Sequence, residues 1–198
     1  MERKITREQF IEESLKLFHQ RGYKATTIRE IAQQLNIEAA TIYNYIKSKQ
    51  ELLDSLLFEI ANKFQSGIRN IATSSYSPLE QIKLLIAMNV RLTVENPYHV
   101  SLLVNEWKHL DEARLLEFLD NRNSYEQQFQ AIIAAGIEQK ELRPMELELA
   151  THTILSAIRW LFSWYTPEKA HLNPFDIEKQ MIDFVLKGIA VREDLAYP

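Results

Sequence analysis

Apolar residues recur every three or four positions almost from the start of the chain, and capping signals mark the places where the pattern breaks. Ile11, Leu15 and Phe18 follow the capping-box sequence Thr6 to Gln9 and stop before Gly22, which predicts a first helix. Thr27 to Glu30 forms a second box, and Ile28, Ile31, Ala32 and Leu35 then line one face of a two-turn helix. Asn36 stands where that helix must turn sharply, and asparagine tolerates left-handed backbone better than any residue but glycine. A short third helix is expected over about 38–45, and the box Ser48 to Glu51 opens a long fourth one along Leu53, Leu56, Leu57, Ile60, Phe64 and Ile68. Ser77 as cap and Pro78 in the first turn start a fifth helix that ends before Asn96-Pro97, because a residue preceding proline disfavours helical backbone. Further helices are expected at about 98–109, 112–140, 145–166 and 174–191.

Composition agrees with an all-α chain. Only 4 glycines and 6 prolines occur in 198 residues, too few for the turn-dense sequence of a sandwich or barrel. The expected architecture is an N-terminal three-helix helix-turn-helix domain over 1–48 and a C-terminal helical bundle over 49–198, about nine helices in all. The absence of cysteine excludes disulfides and thiolate metal sites and permits a reducing compartment. No apolar leader and no run near the ~20 residues of a membrane span is present, so a cytoplasmic protein without a membrane partner is expected. Enzyme chemistry finds no support and no cofactor is implied. There is no glycine-rich phosphate loop and no Gly-x-Ser-x-Gly, and Glu106 to His109 gives only one of the two Glu-x-x-His units a di-iron bundle needs.

Charge changes the picture once it is divided along the chain. The net charge is −4, yet residues 1–50 hold nine Lys/Arg against six acids, so the remainder carries −7. A basic surplus localised on two short helices and a turn is what DNA binding by a helix-turn-helix requires. On the third helix the short side chains Ala39, Ala40 and Thr41 leave room for close approach to base edges and for methyl contact with thymine. Asn44 suits bidentate pairing with adenine. Tyr43, Tyr45, Thr27 and Lys49 carry hydroxyl or ammonium donors for phosphate oxygens. Each also has a packing alternative, a core role for the tyrosines and a capping role for Thr27. Arg3 and Lys4 are either a minor-groove arm or a solvated terminus.

The wording Gly22-Tyr-Lys-Ala-Thr-Thr-Ile-Arg-Glu-Ile-Ala32, then Ala39-Ala-Thr-Ile-Tyr-Asn-Tyr45, then Ser48-Lys49 and Leu52 resembles the TetR family of bacterial repressors over about residues 6–53. The chain departs from the usual family pattern at Asn36, Glu38, Ala40 and Ile46. The resemblance implies a homodimer on a double-stranded palindromic operator, with Thr27, Arg29, Ala39, Ala40, Thr41, Tyr43, Asn44, Tyr45 and Lys49 at the DNA.

A DNA reader of ~50 residues leaves most of the chain for dimerisation and sensing. Leu147, Ala150, Ile154, Ile158, Leu161, Trp164 and Tyr165, with Ile177, Met181, Phe184, Val185 and Ile189 and the small Gly188, form stripes that either pair two copies or cover the core of one. Asn89 and Arg122 fall in apolar register on their helices, and an apolar cavity with a few convergent polar groups is how small-molecule pockets are built. Arg122 reads equally as half of a structural ion pair with Glu106. The run from Glu106 to Leu110, with Arg122 to Tyr125, Gly136 and Ala157 to Trp160, resembles the TetR subgroup answering to acyl-CoA and related thioesters. That likeness implies a hydrophobic effector, such as a fatty acyl-CoA, among Asn89, Trp107, Arg122, Tyr125, Phe129 and Trp160. The alternatives are a ligand-independent DNA-binding protein and a non-DNA interaction protein retaining the fold.

Overall fold

A computed structural model describes residues 5–165 and 173–190. Among these the chain forms α1 (Arg7–Arg21), α2 (Ile28–Leu35), α3 (Ala39–Ile42), α4 (Lys49–Ala72), α5 (Pro78–Glu95), α6 (Pro97–Asn105), the 3-10 turn η1 (Trp107–His109), α7 (Glu112–Glu138), α8 (Leu147–Arg159), α9 (Leu161–Trp164) and α10 (Pro174–Ile189). The all-helical class expected from the sequence is what forms. Arg3, Lys4 and the 166–172 connection lie outside the described residues.

Local chemistry fixes the boundaries. Thr6, Thr27 and Ser77 each accept a hydrogen bond from the backbone N–H three residues on, while the Gln9, Glu30 or Glu80 side chain reaches back to the cap. Three reciprocal capping boxes therefore satisfy N–H groups that a helix leaves without partners. Asn36 ends α2 in left-handed conformation at φ 54°, as its position in the sequence predicts. Gly22 at φ 83° ends α1, where a Cβ would be strained. The helix expected over 145–166 breaks into α8 and α9 at Trp160.

The described chain divides into two compact units. One takes the residues up to Ala61 together with Tyr98–Leu119, and the other Asn62–Pro97 with the residues from Asp120 onward. Each unit is thus discontinuous in sequence, since α4 and α7 each supply residues to both. The first unit packs around Phe10, Leu15, Phe18, Ile31, Ile42, Leu53, Leu57 and Phe58, joined by Leu102, Leu110 and Phe118. The second packs around Ile68, Ile82, Leu85, Ile86, Phe129, Ile133, Leu142, Ile154, Ile158 and Leu161. Inside it, Arg91 on α5 grips the buried Glu178 of α10 through two hydrogen bonds of 2.6 and 2.9 Å. Among the described residues no helix is long and apolar enough to cross a membrane.

Candidate functional site

The helix-turn-helix is assembled on one buried anchor. Ile42, the only fully buried residue of α3, packs into the first core beside Ile31 and Leu53. This pins the segment 39–45 by one side and leaves Ala40, Tyr43 and Asn44 exposed on the other. Tyr43 is 57% exposed, so the packing alternative for it is not what the structure shows. The α-helical part is one turn only. Beyond Ile42 the chain tightens, with Tyr43, Asn44 and Tyr45 donating to the carbonyls of Ala40, Thr41 and Ile42 at 3.2, 3.2 and 2.8 Å, an i to i−3 pattern. Glu38 caps this turn without a side-chain hydrogen bond.

Ala39 and Thr41 are half-buried beside the exposed Ala40. Thr27 and Arg29 are exposed on α2's first turn. The Thr27 hydroxyl donates to Glu30 Oε2 at 2.9 Å and accepts from Glu30 N at 3.2 Å. The Thr27 backbone N–H, donating to Glu30 Oε2 at 2.7 Å, and after it the hydroxyl bond hold the Glu30 carboxyl below its usual range, and Arg21 closes on the same carboxylate at 2.9 Å. Tyr45 is half-buried, stacks on Phe10 with ring centroids 5.6 Å apart and donates its hydroxyl proton to the Ile5 carbonyl at 2.8 Å. A phenol has one proton to donate, so Tyr45 here ties Ile5 to the 39–45 segment and offers a phosphate no hydrogen.

Lys49 is half-buried, with Nζ 4.1 Å from the centroid of the Tyr23 ring. Burial lowers its pKa, opposed by the carboxylates of Glu106 and Glu30. The Tyr23 ring also stacks on His109, centroids 5.8 Å apart, and burial pushes its phenol up to about 12. The Tyr23 hydroxyl donates to Gln50 Oε1 at 3.0 Å. His109 itself lies 3.3 Å from Glu106, and burial lowers its pKa against the pull of that carboxylate. Nothing about Tyr23 or Gln50 distinguished them in the sequence beyond Tyr23 standing inside the Gly22 to Ala32 run.

The second unit contains a polar pair in an apolar core. Asn89 is buried on α5 and donates to the Leu85 carbonyl at 2.7 Å and to the Tyr125 hydroxyl at 2.8 Å. Burial raises the Tyr125 phenol to about 12, so it stays protonated at neutral pH. Phe129 is fully buried, and its ring and that of Phe64 lie 6.5 and 6.4 Å from Tyr125. Asn89, Tyr125 and Phe129 are therefore brought together.

Arg122 occupies an exposed position on α7, which corrects the inward placement read from the apolar register. The register is continuous, yet the two cores take its ends separately, Phe118 going to one and Phe129 to the other. A stripe residue between them need not be covered. Trp107 belongs to the first unit, stacked on Phe118 at 5.9 Å. Trp160 is 46% exposed and donates its indole N–H to the Ala157 carbonyl.

Comparison with known proteins decides the family. A model described as bacterial regulatory proteins, tetR family, matches residues 10–56. A second, described as tetracyclin repressor-like, C-terminal domain, matches residues 75–189, more than half of the chain. The chain belongs to the TetR family of transcriptional regulators. It is 25% identical over 185 residues to the HTH-type transcriptional repressor KstR2 of Mycobacterium tuberculosis, covering 92% of each chain. The solved structure of that ketosteroid transcriptional regulator aligns with a TM-score of 0.87 at 24% identity, covering 96% of this chain and 98% of that one. AibR in complex with isovaleryl coenzyme A and operator DNA aligns with a TM-score of 0.75 at 19% identity, over 90% and 96% of the respective chains. As a TetR-family member the protein is a DNA-binding transcription regulator and not an enzyme.

Proposed function

We propose that this TetR-family protein is a homodimeric, effector-responsive repressor that places two 39–45 segments on a palindromic operator. The divided face of that segment carries the reading. Ile42 is spent on the core, while Ala40, Tyr43 and Asn44 stand exposed with no packing duty. Ala40 admits the close approach that base-edge contact needs, Asn44 carries a paired donor and acceptor, and Tyr43 and Lys49 address the flanking phosphates. Thr27, Arg29, Ala39 and Thr41 complete the surface, and Tyr45 supports it from behind. Twofold symmetry sets the two segments one helical turn of DNA apart, about 34–36 Å.

The effector site of this reading is the Asn89, Tyr125 and Phe129 cluster. A neutral amide and a protonated phenol in an apolar surround suit the carbonyl end of a hydrophobic acyl or sterol-like molecule better than a charged one. An acyl-CoA-type effector also accords with the isovaleryl coenzyme A complex of AibR. The test is enrichment of genomic fragments by the purified protein, with Tyr43→Ala as control. A recovered palindrome that the variant fails to enrich supports the operator reading. Equal enrichment by the variant removes Tyr43 from the interface, and no enrichment at low salt by a folded protein counts against operator binding.

A further inference from the structure

We propose that Gln50 is a positioning residue for DNA binding, which ties the 106–110 segment to the Tyr23 ring and so sets where the Lys49 ammonium is presented. The functional half of this inference rests on the operator reading above. The physical half rests on one side-chain amide. Gln50 Nε2 donates to Asp54 Oδ1 and to the His109 carbonyl, both at 3.1 Å, and Oε1 accepts from the Tyr23 hydroxyl at 3.0 Å. The orientation of the amide follows from its partners. A carboxylate and a carbonyl only accept, so the NH2 end must face them and the oxygen must face the phenol. Three elements distant in sequence, the turn after α1, the first turn of α4 and the η1 turn, therefore meet on the polar atoms of one residue.

Tyr23 is the surface through which this reaches the DNA side. Its ring is fixed edge-on to Phe18 at 5.4 Å, stacked on the His109 ring, and held at its hydroxyl by Gln50. The Lys49 ammonium rests on that ring at 4.1 Å from its centroid. A cation on a π-face is held by the ring quadrupole while N–H groups directed away from the ring stay available to an anion. Glu106, one residue before η1, adds its carboxylate to the field at Lys49. Any displacement of the 106–110 segment thus moves the Gln50 acceptor, the stacked imidazole and the nearby carboxylate together, and with them the seat of Lys49.

Gln50→Met tests the tie, since it keeps length and charge and removes the three hydrogen bonds. The variants Lys49→Ala, Gln50→Met and the double change would be titrated with a 30-base-pair duplex carrying the enriched sequence, over a range of salt. Loss of one phosphate contact makes the slope of log K against log salt shallower by about 0.9. Lys49→Ala and Gln50→Met are both expected to show that shift. The double variant should bind within about twofold of Lys49→Ala, as residues acting through one contact are not additive. Tyr23→Phe, which removes only the hydroxyl, should move in the same direction. Wild-type affinity for Gln50→Met, or losses that multiply in the double variant, would overturn the positioning role. Amide exchange without DNA reads the tie alone. Gln50→Met should speed exchange at both 23–26 and 107–110, and unchanged exchange there overturns the tie whatever the DNA result. A folded wild-type chain that bound no duplex would overturn the operator reading and with it the role given to Lys49.

Discussion

Asn89 spends its side-chain NH2 on the Leu85 carbonyl and the Tyr125 hydroxyl, and this bookkeeping makes the pair sensitive to loss of either member. Tyr125→Phe removes the acceptor and leaves a buried N–H without a partner, which costs about 1–3 kcal/mol. Urea unfolding should show a lowered midpoint with unchanged slope, and an unchanged midpoint would mean that the pair contributes nothing to the fold. The polar pair was legible in the sequence because an asparagine in apolar register is conspicuous. Arg122 was conspicuous for the same reason and lies exposed. Periodicity reports the direction in which a side chain leaves its helix, whereas burial also needs a neighbouring element at that height. Tyr45 shows the converse limit. Its type and position suit a phosphate donor, and what claims its hydroxyl is the Ile5 carbonyl, 40 residues away in sequence.

Elements were most legible where their determinants are local. The capping boxes at Thr6, Thr27 and Ser77 formed as their spacing requires, since cap and partner are three residues apart and need no tertiary help. Asn36 is another such case. At φ 54° its backbone is left-handed, a conformation that costs an ordinary L-residue roughly 1–2 kcal/mol. Asn36→Ala should therefore lower the melting temperature by about 2–4 °C per kcal/mol for a chain of this size, while Asn36→Gly should leave it unchanged or raise it. Equal melting of the two variants would show that the left-handed turn is not what holds α2 to α3. The recognition segment was less legible. A helix over 38–45 was expected, and a single α-turn, Ala39–Ile42, followed by i to i−3 bonding was found. One buried residue, Ile42, anchors it, and a short segment with one anchor takes its length from the surrounding core instead of from its own propensity.

At the scale of the whole molecule the interleaving of the two units was not visible in the sequence, because it depends on which ends of α4 and α7 each core recruits. The last helices repeat the lesson. Of the residues in the apolar stripes, Ala150, Ile154, Ile158, Leu161, Tyr165, Ile177, Val185 and Ile189 are buried within the single chain. What remains on the surface is Trp164 and Phe184 of those stripes, together with Leu149, Trp160 and Phe175. Large apolar side chains left outside a complete core are the residues a second copy would cover. Phe184, 74% exposed on α10, contributes little to the monomer, so replacing it should spare the fold. Phe184→Glu is expected to sediment at half the mass of the wild-type protein with the same helical content. Because an isologous interface meets itself about a twofold axis, each substitution counts twice there. The variant should also lose the steep preference for a palindrome over a single half-site, since a monomer presents one recognition segment and gains nothing from the second. A Phe184→Glu protein that remained dimeric would move the pairing surface to the Leu149, Trp160 and Trp164 side, and a monomeric wild-type protein would remove twofold operator recognition altogether.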